Sequence, residues 1–310
     1  MTEDTHTISE PENALPAVAA AELPESLRAA IARAGWQELM PVQAKAIPYL
    51  LAKRDLMVQS RTGSGKTGAF VLPMLERIDA GKAVTQALVL TPTRELALQV
   101  SNEVKLLCGK SGVRSVPVYG GVGYGPQLDA LGAGVHIVVG TPGRVLDHLI
   151  RGTMSLDDLE LLVFDEADRM LSMGFYPDMR RIQSFLPRRP ISTYMFSATY
   201  PPQVMRLANQ FLHAPDVLSL SKDHVHVTEV EHVYYVAPTM QRERSLARII
   251  EVENPSSAII FCAWRPQKLT SATAPGRATR WSSASHLSCK SASRWLTTER
   301  LSTRSKASLS

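Results

Sequence analysis

Cysteine is scarce in this 310-residue chain, and its three copies, Cys108, Cys262 and Cys289, lie far apart. That spacing offers neither a disulfide framework nor a zinc site, and it fits a reducing compartment, with the cytoplasm as the expectation. No run of about 18 apolar residues exists, so no membrane span is expected. The first 16 residues carry Glu3, Asp4, Glu10 and Glu12 and lack a basic start and an apolar block, so they do not read as a secretory signal. A basic excess is also missing where it would matter. The net charge is +5, but residues 263–310 hold nine Lys/Arg against one acid, Glu299, leaving 25 basic and 28 acidic residues in 1–262. Global basicity therefore says nothing about nucleic-acid binding by the patterned part of the chain. What remains is a 45% hydrophobic composition with room for about two globular domains.

Residues 1–17 are polar and aperiodic, which predicts disorder. From about Leu23, Leu27, Ala30, Ile31 and Ala34 fall at helical spacing, with Gly35 as the stop. Short apolar runs follow at Leu56–Val58, Ala87–Leu90, Val116–Tyr119, Val135–Val139, Leu161–Phe164 and Tyr194–Phe196, separated by helical patterns such as 94–108 and 200–212. Continuous apolar runs suit strands buried on both faces, and the β/α alternation predicts an α/β fold with a parallel sheet. A polar stretch at 221–230 predicts a linker. A second unit then starts with a strand at 231–236, a helix at about 239–252 and a strand at Ala258–Cys262. Residues 263–310 hold 11 serines and no sustained period, and read as an irregular basic tail.

Two segments carry chemistry. The first is Ser60-Arg61-Thr62-Gly63-Ser64-Gly65-Lys66-Thr67, between a strand and a helix. A Gly-rich turn there can aim backbone N–H groups at a phosphate, and the helix N-terminus adds partial positive charge. Lys66 would reach the β/γ-phosphates and the Thr67 hydroxyl would ligate Mg²⁺. The strict pattern has Gly where this chain has Ser60. An ordinary Gly/Ser turn would explain the segment alone, but not its strand and helix flanks. The second segment is the apolar strand 161–164 ending in Asp165-Glu166-Ala167-Asp168. Acids at the carboxyl end of a parallel strand lie where open α/β sheets bind ligands. Asp165 would hold Mg²⁺, and Glu166 would orient and deprotonate an attacking water.

Asp165-Glu166-Ala167-Asp168 is the tetrapeptide that names the DEAD-box ATP-dependent RNA helicases, and the chain resembles that family in several further motifs, in family order. Gly35-Trp36 with Pro41-Val42-Gln43 is similar to the Q motif, whose Gln reads adenine. Pro92-Thr93-Arg94-Glu95-Leu96-Ala97, Gly120-Gly121 and Thr141-Pro142-Gly143-Arg144 resemble the RNA-backbone motifs. Ser197-Ala198-Thr199 resembles the motif coupling hydrolysis to strand separation, and Ala258–Cys262 the first strand motif of the second domain. The resemblance covers roughly residues 18–262. It implies a complete RecA-like domain over 18–220, a partial second one over 231–262, and ATP and Mg²⁺ as cofactors. It implies coupling through Asp168, Ser197 and Thr199. It also implies RNA contact by Arg94, Gly121, Thr141, Gly143 and Arg144, with RNA as the partner and ribonucleoprotein or ribosome-assembly proteins as further ones.

Two departures stand out. Val18 replaces the aromatic residue that the family carries 17 positions before the Q-motif Gly, and after Cys262 neither an Ala-Thr-Asp nor a His-Arg-x-Gly-Arg-x-Gly-Arg motif follows. The abrupt loss of pattern predicts a shifted reading frame after Cys262, testable by resequencing the gene, with a disordered basic tail as the alternative. Activity impaired by want of the second domain is then expected. The rival functions are a nucleotide- and RNA-binding module without turnover and another P-loop enzyme such as a DNA helicase. Gln43 and Asp168 speak against the latter.

Overall fold

A computed structural model of the protein describes residues 13–61, 63–220, 235 and 242–255. The chain divides into two compact units, Met1–Asp223 and His224–Ser310. In the first, seven strands form one sheet: β1 (Leu56–Gln59), β2 (Ala87–Leu90), β3 (Ser115–Val118), β4 (Ile137–Gly140), β5 (Leu161–Asp165), β6 (Ser192–Ser197) and β7 (Asp216–Ser219). Their order is β3-β4-β2-β5-β6-β1-β7, and every pairing is parallel. The helices of this unit are α1 (Glu25–Arg33), α2 (Pro41–Leu51), α3 (Lys66–Arg77), α4 (Arg94–Cys108), α5 (Gly125–Gly132), α6 (Pro142–Ile150), α7 (Ala167–Ser172), α8 (Tyr176–Gln183) and α9 (Pro202–Phe211).

The apolar runs split by alternation into two cores. Leu56, Val58, Ala87, Val89, Leu161, Val163, Tyr194 and Phe196 face one layer with α1 to α4. Met57, Leu88, Leu90, Leu162, Phe164 and Met195 face the other, with α6 to α9. Side chains alternate across a strand, so a strand covered by helices on both faces needs apolar residues at every position. The α/β parallel architecture anticipated from the sequence is the one observed, and the α4 pattern at 94–108 matches its helix residue for residue. Gly35 follows α1 with φ +71°, a left-handed stop that suits glycine. Near the start, Leu15 packs against the first core and its N–H donates to the Tyr49 hydroxyl (2.8 Å). Val18 packs on the same core.

The edge strand β7 was not anticipated. Asp-Val-Leu-Ser is half-buried and holds only two apolar residues, too weak a signal to separate from a loop. It is fixed instead by Asp55, one of whose carboxylate oxygens accepts from Thr193 N–H (2.8 Å) and the other from His213 N–H (2.7 Å). Its backbone carbonyl accepts from Asp216 N–H (2.9 Å). One residue thus ties the starts of β1, β6 and β7. Burial is the chief influence on this carboxyl and holds it above its ordinary range. Asp55→Asn turns one acceptor into a donor facing an N–H. We expect it to lower unfolding free energy by about 1–3 kcal/mol in urea titrations; an unchanged midpoint would show that the tie carries no stability.

In the second unit the described helix is α10 (Arg242–Glu253), which overlaps the expected helix of about 239–252 and ends one residue beyond it. The anticipated linker 221–230, the strand Ala258–Cys262 and the tail 263–310 lie outside the described residues, as do residues 231–234 and 236 of the anticipated strand 231–236. Among the described residues no helix is long and apolar enough to cross a membrane.

Candidate nucleotide and RNA site

In a parallel sheet all carboxyl ends lie on one side, so the segments after β1 to β6 share one rim. The order β5-β6-β1 places Asp165-Glu166, Ser197-Thr199 and the described residues of the glycine-rich segment, 60–61 and 63–67, side by side. The adjoining order β3-β4-β2 places Gly121, Thr141–Arg144 and Arg94 along the other half. The sheet thereby gathers segments separated by up to 156 positions, from Gln43 to Thr199, into two neighbouring sets.

The glycine-rich turn is shaped by close packing. Gly65 precedes α3 with φ +86°, and a Cβ there would meet Met40 Sδ at 2.5 Å and Gln43 Nε2 at 3.0 Å. Gly63 is also left-handed, at φ +80°. Both positions therefore call for glycine. Thr62 lies outside the described residues, and Arg61 is exposed. Ser60 takes the place of the pattern's first Gly without breaking the fold: its N–H donates to the Ser197 carbonyl (3.1 Å), extending the β1–β6 ladder. Gln43 is buried at 2% exposure. Its Oε1 accepts from Met40 N–H (2.9 Å) and its Nε2 donates to the Gly65 carbonyl (3.1 Å). One amide hydrogen and one lone pair remain, the pair that an adenine edge requires. Trp36 stands beside this turn, its ring 2.5 Å from where a Cβ on Gly68 would lie.

Four buried polar atoms here have no hydrogen-bond partner among the described residues: Ser60 Oγ, Ser64 Oγ, Lys66 Nζ and Asp165 Oδ1. A triphosphate with Mg²⁺ would supply partners of the right kind, acceptors for the ammonium and hydroxyls and a cation for the carboxylate. By this measure the residues fit ATP and Mg²⁺. Asp165 is pushed up to about 6, chiefly by burial; the Lys66 ammonium opposes the shift, and Glu166 and Glu103 add to it. Glu166 turns the chain from β5 into α7 with φ 55° and ψ 53°. A left-handed non-glycine residue costs on the order of 1–3 kcal/mol, strain that concentrates where side-chain direction matters. Its Oε2 lies 3.1 Å from Arg169 Nη1.

The three residues expected to couple the sites are joined directly. Asp168 N–H donates to Ser197 Oγ (3.2 Å), and Asp168 Oδ2 accepts from both the N–H (3.0 Å) and the hydroxyl (2.8 Å) of Thr199. Three hydrogen bonds thus join the β5 and β6 ends. A cleft of about 500 Å³ opens beside them, lined by Lys66, Glu166, Asp168, Arg169, Thr199 and Gln203 among others.

On the other half of the rim, Arg94 lies over the Tyr119 ring (4.9 Å), and Thr93 caps its helix by accepting from Leu96 N–H (3.2 Å). Gly121 is exposed with φ +79°. Thr141 precedes α6, Gly143 lies in its first turn, and Arg144 Nη2 donates to the Val122 carbonyl (3.0 Å). Sequence reasoning missed three participants. Glu103 is hydrogen-bonded to Thr67 and held above its ordinary value by burial. It sits in an amphipathic helix where a lone acid reads as solvated surface. Arg169 and Tyr124 lie just outside the motifs, and only the folded geometry connects them to Glu166 and Arg144.

The DEAD/DEAH box helicase family model matches residues 40–207. Curated relatives include a DEAD-box ATP-dependent RNA helicase CshA of Geobacillus kaustophilus, 38% identical over 77% of this chain and 51% of the relative. The protein of the same name from Bacillus licheniformis is 40% identical over 77% of this chain and 49% of the relative. The chain therefore spans about half the length of the curated relatives it matches. Among solved structures, a DEAD box protein from the hyperthermophile Methanococcus jannaschii aligns with TM-score 0.61 and 34% identity, over 74% of this chain and 62% of that one. A hypothetical ATP-dependent RNA helicase from Sulfolobus tokodaii aligns with TM-score 0.59 and 34% identity, over 64% and 57%. With the phosphate turn, the acidic strand end and the Ser-Ala-Thr link already assembled on one rim, these matches settle the family: the chain belongs to the DEAD/DEAH box helicases.

Proposed function

We propose that this chain provides the ATP-binding half of an RNA-dependent ATP hydrolase that drives RNA duplex unwinding or ribonucleoprotein remodelling. The observation that carries the reading is the buried, unpartnered pair of Lys66 Nζ and Asp165 Oδ1 at the rim where the glycine-rich turn and the acidic strand end meet. Lys66 grips the β/γ-phosphates, Thr67 and Asp165 hold Mg²⁺, and Gln43 offers its spare donor and acceptor to adenine. Bound Mg²⁺ neutralises charge on the β- and γ-phosphates. Glu166 takes the proton of the attacking water, held by its turn at the mouth of the cleft. The Asp168–Thr199 link carries changes at the nucleotide toward the RNA half. Arg94, Gly121, Thr141, Gly143 and Arg144 grip the RNA backbone, so sequence preference is low. Ribonucleoprotein or ribosome-assembly proteins are the partners this activity serves, and the cytoplasm is its setting.

The test is ATP binding and hydrolysis by the 310-residue chain with and without single-stranded RNA, with Glu166→Gln as the blank. Mg²⁺-dependent ATP binding is expected in both proteins, with RNA-stimulated turnover weak in the wild type, which lacks the second-domain motifs, and absent from Glu166→Gln. Binding of both ligands without turnover would instead describe a nucleotide- and RNA-binding module. Absence of ATP binding would sink the proposal.

A further inference from the structure

Helix α6 carries Arg144 and Asp147, and Arg151 is its C-cap; at positions i, i+3 and i+7 the three side chains share one face. Arg151 and Asp147 belong to none of the motifs above. Over this face lies Tyr124, from the loop that begins with Gly120-Gly121. The Arg144 guanidinium stands 4.1 Å from its ring centroid and that of Arg151 4.4 Å. The Tyr124 hydroxyl donates to Asp147 Oδ2, and Arg151 Nε donates to Asp147 Oδ1 (3.0 Å). One ring and one carboxylate thus hold two cations that would otherwise repel, and they tie the glycine loop to α6. The cluster keeps an excess of one positive charge, and Arg144 Nη1 is buried with no hydrogen-bond partner among the described residues. A guanidinium donor left over in a cationic cluster calls for an anion.

We propose that Tyr124 is a positioning residue for the RNA backbone, and that Arg151 is a second phosphate-binding cation beside Arg144. This rests on the RNA reading given above. The ligand is the phosphodiester chain, because the cluster offers charge and fork-shaped donors and no base-reading pattern. The ring holds two long side chains in place before RNA arrives. Much of their rotamer entropy is then already lost in the unbound protein.

The experiment is equilibrium binding of a labelled single-stranded RNA to the full 310-residue chain across a salt series. Tyr124→Leu frees both arginines and the loop, and a loss of about fivefold to tenfold in affinity is expected. Tyr124→Phe keeps the ring and is expected to stay within about threefold of wild type. Arg151→Ala removes one phosphate contact, so the slope of log K against log salt shrinks by about 0.7. A purely structural role for Arg151 would not move that slope. Because Arg151 is half-exposed (55%) at the C-cap of α6, its variant keeps the test valid if Tyr124→Leu melts early. Wild-type affinity and slope in both Tyr124→Leu and Arg151→Ala would overturn this inference alone. Failure of the wild-type chain to bind RNA would overturn it together with the RNA reading.

Discussion

Lys66→Ala is expected to weaken Mg²⁺-dependent ATP binding by about 10-fold to 100-fold. A charge-assisted hydrogen bond contributes about 1.5–3 kcal/mol, and 2.8 kcal/mol is about 100-fold in Kd. Among the described residues Lys66 Nζ has no hydrogen-bond partner, so its charge is free for the phosphates and that contact is lost with the ammonium. The loss extends to its neighbour. Asp165 stands at about 6 with Lys66 beside it, and Lys66 is the leading influence that pulls it down. Removing that charge moves the carboxyl further up, so more of it is protonated at pH 7, and a protonated carboxyl is a poor Mg²⁺ ligand. The variant should therefore recover part of its Mg²⁺-dependent binding as pH rises from 6 to 8, while the wild type changes less. Calorimetric titration of ATP with Mg²⁺ and with EDTA at several pH values measures both effects. Equal affinity of variant and wild type would mean that Lys66 does not face the phosphates.

The parts of this molecule legible in the sequence are those where one local rule decides the outcome. Leu161–Phe164 must be a strand buried on both faces because every residue is apolar. Gly63 and Gly65 must turn because both adopt left-handed backbone. The helix over 94–108 opens with a Thr cap and keeps its period to the end. What stayed hidden depends on neighbours distant in sequence. Strand β7 exists because Asp55 and β1, some 160 positions earlier, present it with partners. The approach of Glu103 to Thr67 follows from how α4 packs beside α3, which no spacing within α4 reveals. Tyr124 acquires its role from α6, and Arg169 from the strained turn at Glu166. The missing aromatic at Val18 shows the limit from the other side. The sequence marks the departure, but only the packed chain places Trp36 beside the phosphate turn.

Phe70→Ala is the change expected to cost the first unit most stability. Phe70 is fully buried on α3, and its ring meets that of Phe196 on β6 with centroids 5.3 Å apart and planes tilted by 57°. Truncating a buried Phe costs about 3–5 kcal/mol in lost transfer energy and residual cavity. Against a typical domain stability of roughly 5–15 kcal/mol, the melting temperature should fall by about 10 °C or more. The position gives the variant a second signature. Phe70 lies one helical turn after Lys66, so its anchor on β6 also holds the first turn of α3 under the phosphates. ATP affinity should therefore drop in Phe70→Ala even at temperatures where the protein stays folded. Saturating ATP with Mg²⁺, at about 100 times the variant's own Kd, should return about 2.7 kcal/mol of stability. Ile182→Ala, on the opposite core, should lose about 2–5 kcal/mol while keeping its ATP affinity. If both variants lose stability and neither loses affinity, the Phe70–Phe196 contact is core packing alone and α3 is positioned by other means.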